Sequence, residues 1–393
     1  MREVMPQLRR WLAQGTPFAL ATVVGARGSA PRDPGAVMAV SATGEVLGSV
    51  SGGCVEGAVY EAALDVLETG EPRRETYGIS DEQAFSVGLT CGGIIHILIW
   101  PAVPATLISQ VLGSVEREQP VALATVIGGP APLGAQRCVW QDRSEGALGD
   151  NGLDAAVTDD ARGLLAQGMT ATERYGPRGR RRMDDIEVFV QSFAPPPRML
   201  IYGANDFAVA LSHTGAHLGY RVTVCDARPV FATARRFPHA HEVVCEWPHD
   251  HLARTGADER TVICVLTHDP KFDVPVLTAA LRTPAAYIGV MGSRRTHADR
   301  TARLREEGVT DDQLARLASP IGLDLGARTP EETAVSIAAE IIRRRWCGTG
   351  FPLSGLTGDI HRNGPPQTAV PARPRASLPA GAAHHSGDGH PSG

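Results

Sequence analysis

No CxxC pair occurs among the seven cysteines, and their number is odd. Scattered thiols without paired spacing speak against a zinc site and a disulfide framework, and point to a reducing, cytoplasmic setting. The chain has no apolar run of bilayer length, so no transmembrane helix is expected. The opening stretch MREVMPQLRRWLAQG holds no apolar segment of the kind a secretory signal needs. A basic excess is missing too: the formal net charge of -5 argues against nucleic acid as a partner. What remains is a globular composition, 43% hydrophobic and 21% charged, in 393 residues, enough for two or three domains.

The first half of the chain repeats itself. Pro17–Gly25 reads PFALATVVG and Pro120–Gly128 reads PVALATVIG. Each is followed by a segment ending in Gly, at Gly78 and Gly176, and then by an apolar strand, IIHILIW (Ile94–Trp100) or IEVFVQSF (Ile186–Phe193). Each copy therefore reads as strand, strand, helix, strand, with helices near Val55–Thr69 and Ala155–Gln167. The expected organisation is an α+β region over residues 1–193 built from a duplicated unit, 12–100 and 115–193.

The copies differ in chemistry. The first carries GSVSGGCVEG (Gly48–Gly57) and LTCGG (Leu89–Gly93), so Cys54 follows Gly52 and Gly53 while Cys91 precedes Gly92 and Gly93. Glycine pairs allow positive φ and close approach of a bulky ligand, and a thiolate is a nucleophile and a soft metal ligand. The competing reading is that Cys54 is a small core residue in a tight turn. The second copy places Leu153 or Asp154 near the position of Cys54 and has no counterpart of Cys91. Between the first two strands lies GARGSAPRDPGA (Gly25–Ala36), where Arg27, Ser29 and Arg32 can hold an anion. In the second copy that loop is GGPAPLGAQ.

Three prolines in APPPR (Ala194–Arg198) mark an extended linker. Beyond it strands and helices alternate over 199–346, the pattern of a Rossmann-like, doubly wound parallel sheet. The expected strands are Met199–Tyr202, Arg221–Cys225, Val243–Cys245, Val262–Leu266 and Ala286–Val290. Thr329-Pro330-Glu331-Glu332 opens the last helix as a capping box, and residues 347–393 read as a disordered tail. At the first strand-to-helix turn a dinucleotide site wants G-x-G-x-x-G/A, but the chain has Gly203-Ala204-Asn205-Asp206-Phe207-Ala208. Asn205 replaces the glycine that admits a pyrophosphate, so NAD(P) is not expected to bind even though Asp226 stands where an acid would meet a ribose. Two further loops should share that edge: Thr267-His268-Asp269, and GVMGSRRT, in which Ser293 caps a helix opened by Arg294 and Arg295.

Taken together, these blocks make the chain resemble the xanthine dehydrogenase accessory factor (XdhC/CoxI) family from about Leu12 to Arg345. The blocks are GSAPRDPGAVMAV, GSVSGGCVEGAV, GLTCGGIIHI, VTVCDAR, LTHDPKFD, YIGVMGSRRT and SPIGLDLGARTPEETAVSIAAEI. The resemblance implies a chaperone that holds the molybdenum cofactor (molybdopterin or its dinucleotide form), supports its sulfuration and inserts it into an apo-hydroxylase. Implied partners are that molybdenum hydroxylase, of xanthine dehydrogenase or carbon monoxide dehydrogenase type, a cysteine desulfurase, and a second copy in a homodimer. No stand-alone turnover is implied. Cys54 and Cys91 then match the family's paired cysteines and become the residues to contact molybdenum. Members usually carry G-x-G-x-x-A at the nucleotide turn, from which Asn205 and Asp206 depart. The residues alone also leave open an NAD(P)-dependent oxidoreductase and a protein–protein adaptor.

Overall fold

A computed structural model of the chain describes residues 3–28, 32–78, 93–102, 106–181 and 183–357. The first repeat folds as β1 (Phe18–Arg27), β2 (Val37–Ser41), β3 (Val46–Gly48), α2 (Glu56–Thr69), β4 (Arg73–Tyr77) and β5 (Ile94–Pro101), preceded by α1 (Met5–Gln14). The second repeats it: α3 (Thr106–Glu116), β6 (Val121–Gly128), β7 (Gln136–Val139), β8 (Ser144–Gly146), α4 (Asn151–Gln167), β9 (Ala171–Tyr175) and β10 (Ile186–Phe193). Strand orders coincide, β3-β2-β1-β5-β4 and β8-β7-β6-β10-β9. Expecting two strands, a helix and a strand undercounts each copy. The missed strands β3, β4, β8 and β9 are short edge strands; β4, RRETY, is charged and largely exposed, as edges tend to be.

Strand β1 is buried from Phe18 through Val24 because both of its faces are covered. One face meets the other sheet, with Leu20, Leu98 and Trp100 packed among Leu123, Phe189 and Trp140 and closed by Trp11 of α1. The other face carries α2, through Ala21, Val40, Val59 and Ile97. Helix α4 covers the second sheet in the same way. The result is four layers, helix, sheet, sheet, helix.

The two sheets are tied by a reciprocal pair of bonds. The β1–β5 register slips between Val23 and Gly25, and the β6–β10 register slips at Ile127, so each central strand has a bulge. Arg74 of β4 donates to the Ile127 carbonyl at 2.9 Å, and Thr172 of β9 donates to the Val24 carbonyl at 3.2 Å. Each copy thus satisfies the carbonyl that the other copy's bulge leaves outside the ladder.

The linker is extended and anchored. Pro195 accepts from Arg260 and Pro197 from the Arg221 amide, and the strand begins already at Arg198. The second domain comprises β11 (Arg198–Tyr202), α5 (Asp206–His217), β12 (Arg221–Cys225), β13 (Glu242–Val244), α6 (Pro248–Thr255), β14 (Val262–Val265), α7 (Pro270–Leu281), β15 (Tyr287–Val290), α8 (Arg294–Glu306), α9 (Asp311–Leu314), β16 (Leu317–Ala318) and α10 (Pro330–Arg345). Its six strands are all parallel in the order β13-β12-β11-β14-β15-β16, the dinucleotide-fold arrangement. Helices α5 and α10 cover one face through Leu211 and Ile337, while α6, α7 and α8 cover the other through Leu252, Val276 and Leu304. Thr329 caps α10 in a capping box with Glu332. Of the tail, residues to 357 are described and include a short turn at Leu353–Gly355; the rest of the stretch expected to lack structure lies outside the described residues.

Candidate functional site

Two groups of residues emerge, one on each domain. The first lies at one end of the first sheet. Arg27 pairs with Ile94, Tyr77 with Ile95 and Met38 with Gly48, so the loops after β1, after β3 and after β4 all leave from this end. They bear Arg27 and Arg32, then Cys54, then the segment carrying Cys91. Ser29, Cys91 and Gly92 lie outside the described residues. Arg27 is exposed, and Arg32 stands 3.9 Å from Glu3.

The loop between β3 and α2 is organised by a side chain that sequence reasoning passed over. The Glu56 carboxylate accepts from Ser49 Oγ (2.6 Å), Ser51 N (2.9 Å), Ser51 Oγ (2.5 Å), Gly53 N (2.8 Å) and Val55 N (3.2 Å). Ser49 Oγ in turn accepts from Gly52 N, and Ser51 Oγ from Cys54 N and Val55 N. Every amide from Ser51 to Val55 is thereby used. The negative charge that favours a helix N-terminus comes from within the chain. Burial pushes the Glu56 carboxyl upward, but the hydrogen bonds from Ser49 and Ser51 and from the backbone outweigh it and hold its pKa at about 2. Gly52 and Gly53 have φ of 78° and 118°, and space is open around both. This matches the expectation that they let the backbone turn without a side-chain obstacle. Cys54 is half-buried against the apolar layer under α2.

The second copy shows what is shared. Both helices end on a left-handed glycine, Gly70 and Gly168. Aligning them there sets Asp154 opposite Glu56 and Gly152 opposite Cys54, correcting the expectation of Leu153 or Asp154 at the cysteine position. Asp154 also ties its loop, accepting from Leu148 N at 2.8 Å and pairing with Arg137 at 3.4 Å. The carboxylate anchor belongs to both copies; the thiol belongs to the first.

The second group lines the carboxyl edge of the parallel sheet. Gly203 has φ of 109°, and a Cβ there would stand 2.7 Å from the Thr267 side chain. Asn205 adopts an extended backbone (φ -114°). Its Oδ1 caps α5 by accepting from Ala208 N, and its Nδ2 donates to the Leu266 carbonyl at 2.8 Å. That bond joins the loops after β11 and β14, across the crevice where a dinucleotide would lie. Asp226 is 2% exposed, and its oxygens accept from Ala204 N, Arg228 N and the Arg228 guanidinium at 2.8–2.9 Å. Burial raises its pKa, but the Arg228 and backbone hydrogen bonds prevail and hold it below the usual value. A ribose would have to displace these donors. Arg236, also missed, donates to the Ala204 carbonyl and lies over Phe231. Ser293 caps α8 through Thr296 N as expected, with Arg294 exposed beside it, and His268 is exposed on the neighbouring loop.

Among the described residues no three His, Cys, Asp or Glu side chains are gathered to hold a metal ion, and no helix is long and apolar enough to cross a membrane.

Comparison with known proteins bears on both domains. The family model described as the XdhC and CoxI family matches residues 11–78 and 114–176, one segment in each repeat, and the XdhC Rossmann domain matches residues 199–341. A Bacillus subtilis protein named as a probable xanthine dehydrogenase subunit is 29% identical over 83% of this chain and 92% of its own length. A "molybdenum cofactor insertion chaperone PaoD" of Escherichia coli is 28% identical over 84% of each chain. The fold is similar to a crystal structure described as a xanthine dehydrogenase from Bacillus halodurans, with a TM-score of 0.61 at 24% identity, over 86% of this chain and 95% of that one.

Proposed function

The chain belongs to the XdhC and CoxI family, and we propose that it carries the molybdenum cofactor as cargo, supports its sulfuration and delivers it to an apo-hydroxylase in the cytoplasm. One relative described as a molybdenum cofactor insertion chaperone supports this reading. The observation that carries it is the half-buried Cys54 thiol, held on a loop whose amides and hydroxyls are engaged by Glu56, and replaced by glycine in the second copy. A soft thiolate suits a molybdenum–dithiolene cargo or the sulfur delivered to it. Arg27 and Arg32, on a loop leaving the same end of the sheet, suit an anionic group. The hydroxylase is of xanthine dehydrogenase or carbon monoxide dehydrogenase type, and a cysteine desulfurase is the expected sulfur source. A resident NAD(P) does not fit these residues, because Asn205 spans the crevice and Asp226 is taken by Arg228.

The test is to produce the wild type, Cys54→Ala and the Cys54→Ala/Cys91→Ala double variant with an apo-hydroxylase in a cofactor-producing host. Pterin fluorescence and molybdenum of the purified chain report cargo; molybdenum and sulfido content of the hydroxylase report delivery. The wild type should copurify with pterin and molybdenum, and the double variant should deliver less. Normal molybdenum with low sulfido content would assign the thiols to sulfur transfer. A wild-type chain without pterin or molybdenum would overturn the cargo reading, and unimpaired delivery by the double variant would remove the thiols from it.

A further inference from the structure

We propose that the second domain holds an oxyanion site for a phosphate-type group, one strand away from the usual dinucleotide crevice, in the cleft between the His268 loop and α8. Only the question of whose phosphate it is rests on the cargo reading above. Parallel sheets take ligands at the switch point of strand order, here between β11 and β14. That place is closed: Thr267 packs on Gly203, and Asn205 bonds across to Leu266. The next gap along the edge, between the loops after β14 and β15, is open. It forms a cleft of about 130 Å³ lined by His268, Asp273, Thr296, Asp299, Arg300 and Arg303. Drug-sized ligands occupy pockets of roughly 300 Å³ upward, so this one suits a phosphate or pyrophosphate group and not a whole nucleotide.

One wall of the cleft is formed by a buried arginine. Arg300 is 4% exposed, with Nη2 donating to Asp273 at 2.8 Å and to the Met291 carbonyl at 3.1 Å. Its Nη1 is buried with no partner among the described residues. An unpaired buried N–H is costly, and most such groups find an oxygen. Asp273 accepts from Thr267 through one oxygen and from Arg300 Nη2 through the other. Arg303, one helical turn on and exposed, makes no ion pair among the described residues, so the cleft carries a second cation for an oxyanion. Arg294 and Arg295 sit exposed in the first turn of α8, where the helix dipole disfavours cations and favours an anion. Asp299 is the opposing group: an exposed carboxylate on the same rim. Its presence gives the site a signature that loss of a structural contact would not produce. Removing a cation should weaken binding, and neutralising Asp299 should strengthen it.

The experiment is calorimetric titration of the purified full chain with pyrophosphate at low salt, using wild type, Arg303→Ala, His268→Ala and Asp299→Asn. All three substitutions fall on exposed side chains, and thermal melting checks that each variant folds. Saturable binding is expected, weakened roughly fivefold or more by Arg303→Ala, tightened by Asp299→Asn, and reduced by added salt. No saturation up to about 10 mM, or identical affinity in Arg303→Ala and Asp299→Asn, overturns the site. Pterin retained by Arg303→Ala from a cofactor-producing host separates the sources. If it falls along with pyrophosphate affinity, the group is the cargo's own phosphate. If it does not, a separate phosphate compound is the ligand, and the site stands. Cys54→Ala should leave pyrophosphate binding unchanged, so a failure of the thiol reading is distinguishable from a failure of this one.

Discussion

Glu56 gathers five donors within one turn of chain, and its removal should be felt both in stability and at Cys54. Glu56→Gln keeps the shape but turns an amide NH₂ toward N–H and O–H groups. At neutral pH it should cost about 1–3 kcal/mol and should raise the alkylation rate of Cys54. The pH dependence has a definite sign. The folded pKa is held near 2, below the ordinary value of 4.5, so the stabilisation is complete above the unfolded value and is lost as pH falls from there toward 2. The gap in urea midpoint between wild type and Glu56→Gln should therefore be full at pH 7 and close in strong acid. A gap independent of pH would mean that the charge does not hold the loop. As internal references, Cys138 and Cys225 should stay unlabelled in the native protein, since burial pushes both thiols up to about 12. The glycine-flanked cysteines were legible from the sequence because their neighbours are local. Glu56 was not, because an acid at a helix start has an ordinary dipole role and only the folding back of Ser49 and Ser51 reveals more. Asp226 misled in the opposite way: its position on the strand was readable, but its capture by Arg228, two residues later, depends on side-chain geometry.

At the scale of elements, the duplication was readable because PFALATVVG and PVALATVIG are apolar on both strand faces, a consequence of the two-sided burial of β1 and β6. The edge strands were not readable, since RRETY and ATERY mix charge with alternation and their pairing is set by β5 and β10. Those edges nevertheless join the halves. Arg74→Ala removes the donor to the Ile127 carbonyl and an ion pair with Glu187 at 2.6 Å, and should destabilise the first domain by about 1–2 kcal/mol. Thr172→Val removes the reciprocal bond to Val24 and should cost about 1 kcal/mol. The two bonds share no partner, so the double variant should be close to additive. Denaturant midpoints check both, and wild-type midpoints for each single variant would strip the bulge bonds of any joining role. At the β11–α5 turn, Asn205 and Arg228 lead to a second expectation. Titration with NADH or NADPH should show nothing tighter than about millimolar, or about 4 kcal/mol. Asn205→Gly alone should not restore binding while Arg228 still holds Asp226. Low-micromolar binding by the wild type would return the oxidoreductase reading to first place.

Among the described residues, the apolar clusters divide at the proline linker. Three of these clusters draw only on described positions up to Ala194 and two only on described positions from Met199 onward, with none shared. The contacts described across the boundary include polar and loosely packed ones. Arg221 meets Glu118 in an exposed pair at 3.2 Å, Arg260 holds the Pro195 carbonyl at 2.9 Å, and a cavity of about 200 Å³ lies at the junction between Met169, Tyr220, Tyr287 and Trp346. An exposed ion pair contributes at most about 1 kcal/mol, and a cavity contributes no packing, so the two cores have little to couple them. Scanning calorimetry should then resolve two transitions instead of the single one expected of a shared core. Glu56→Gln should lower one of them. Ile337→Ala, which empties a fully buried position between α10 and the parallel sheet, should lower the other by an amount equivalent to about 2–5 kcal/mol. Each variant should leave the other transition within experimental error. A single endotherm that both substitutions shift together would show that the junction transmits stability despite its composition. The Cys54 loop and the α8 cleft would then have to be treated as one coupled site, not as sites on two separately stable bodies.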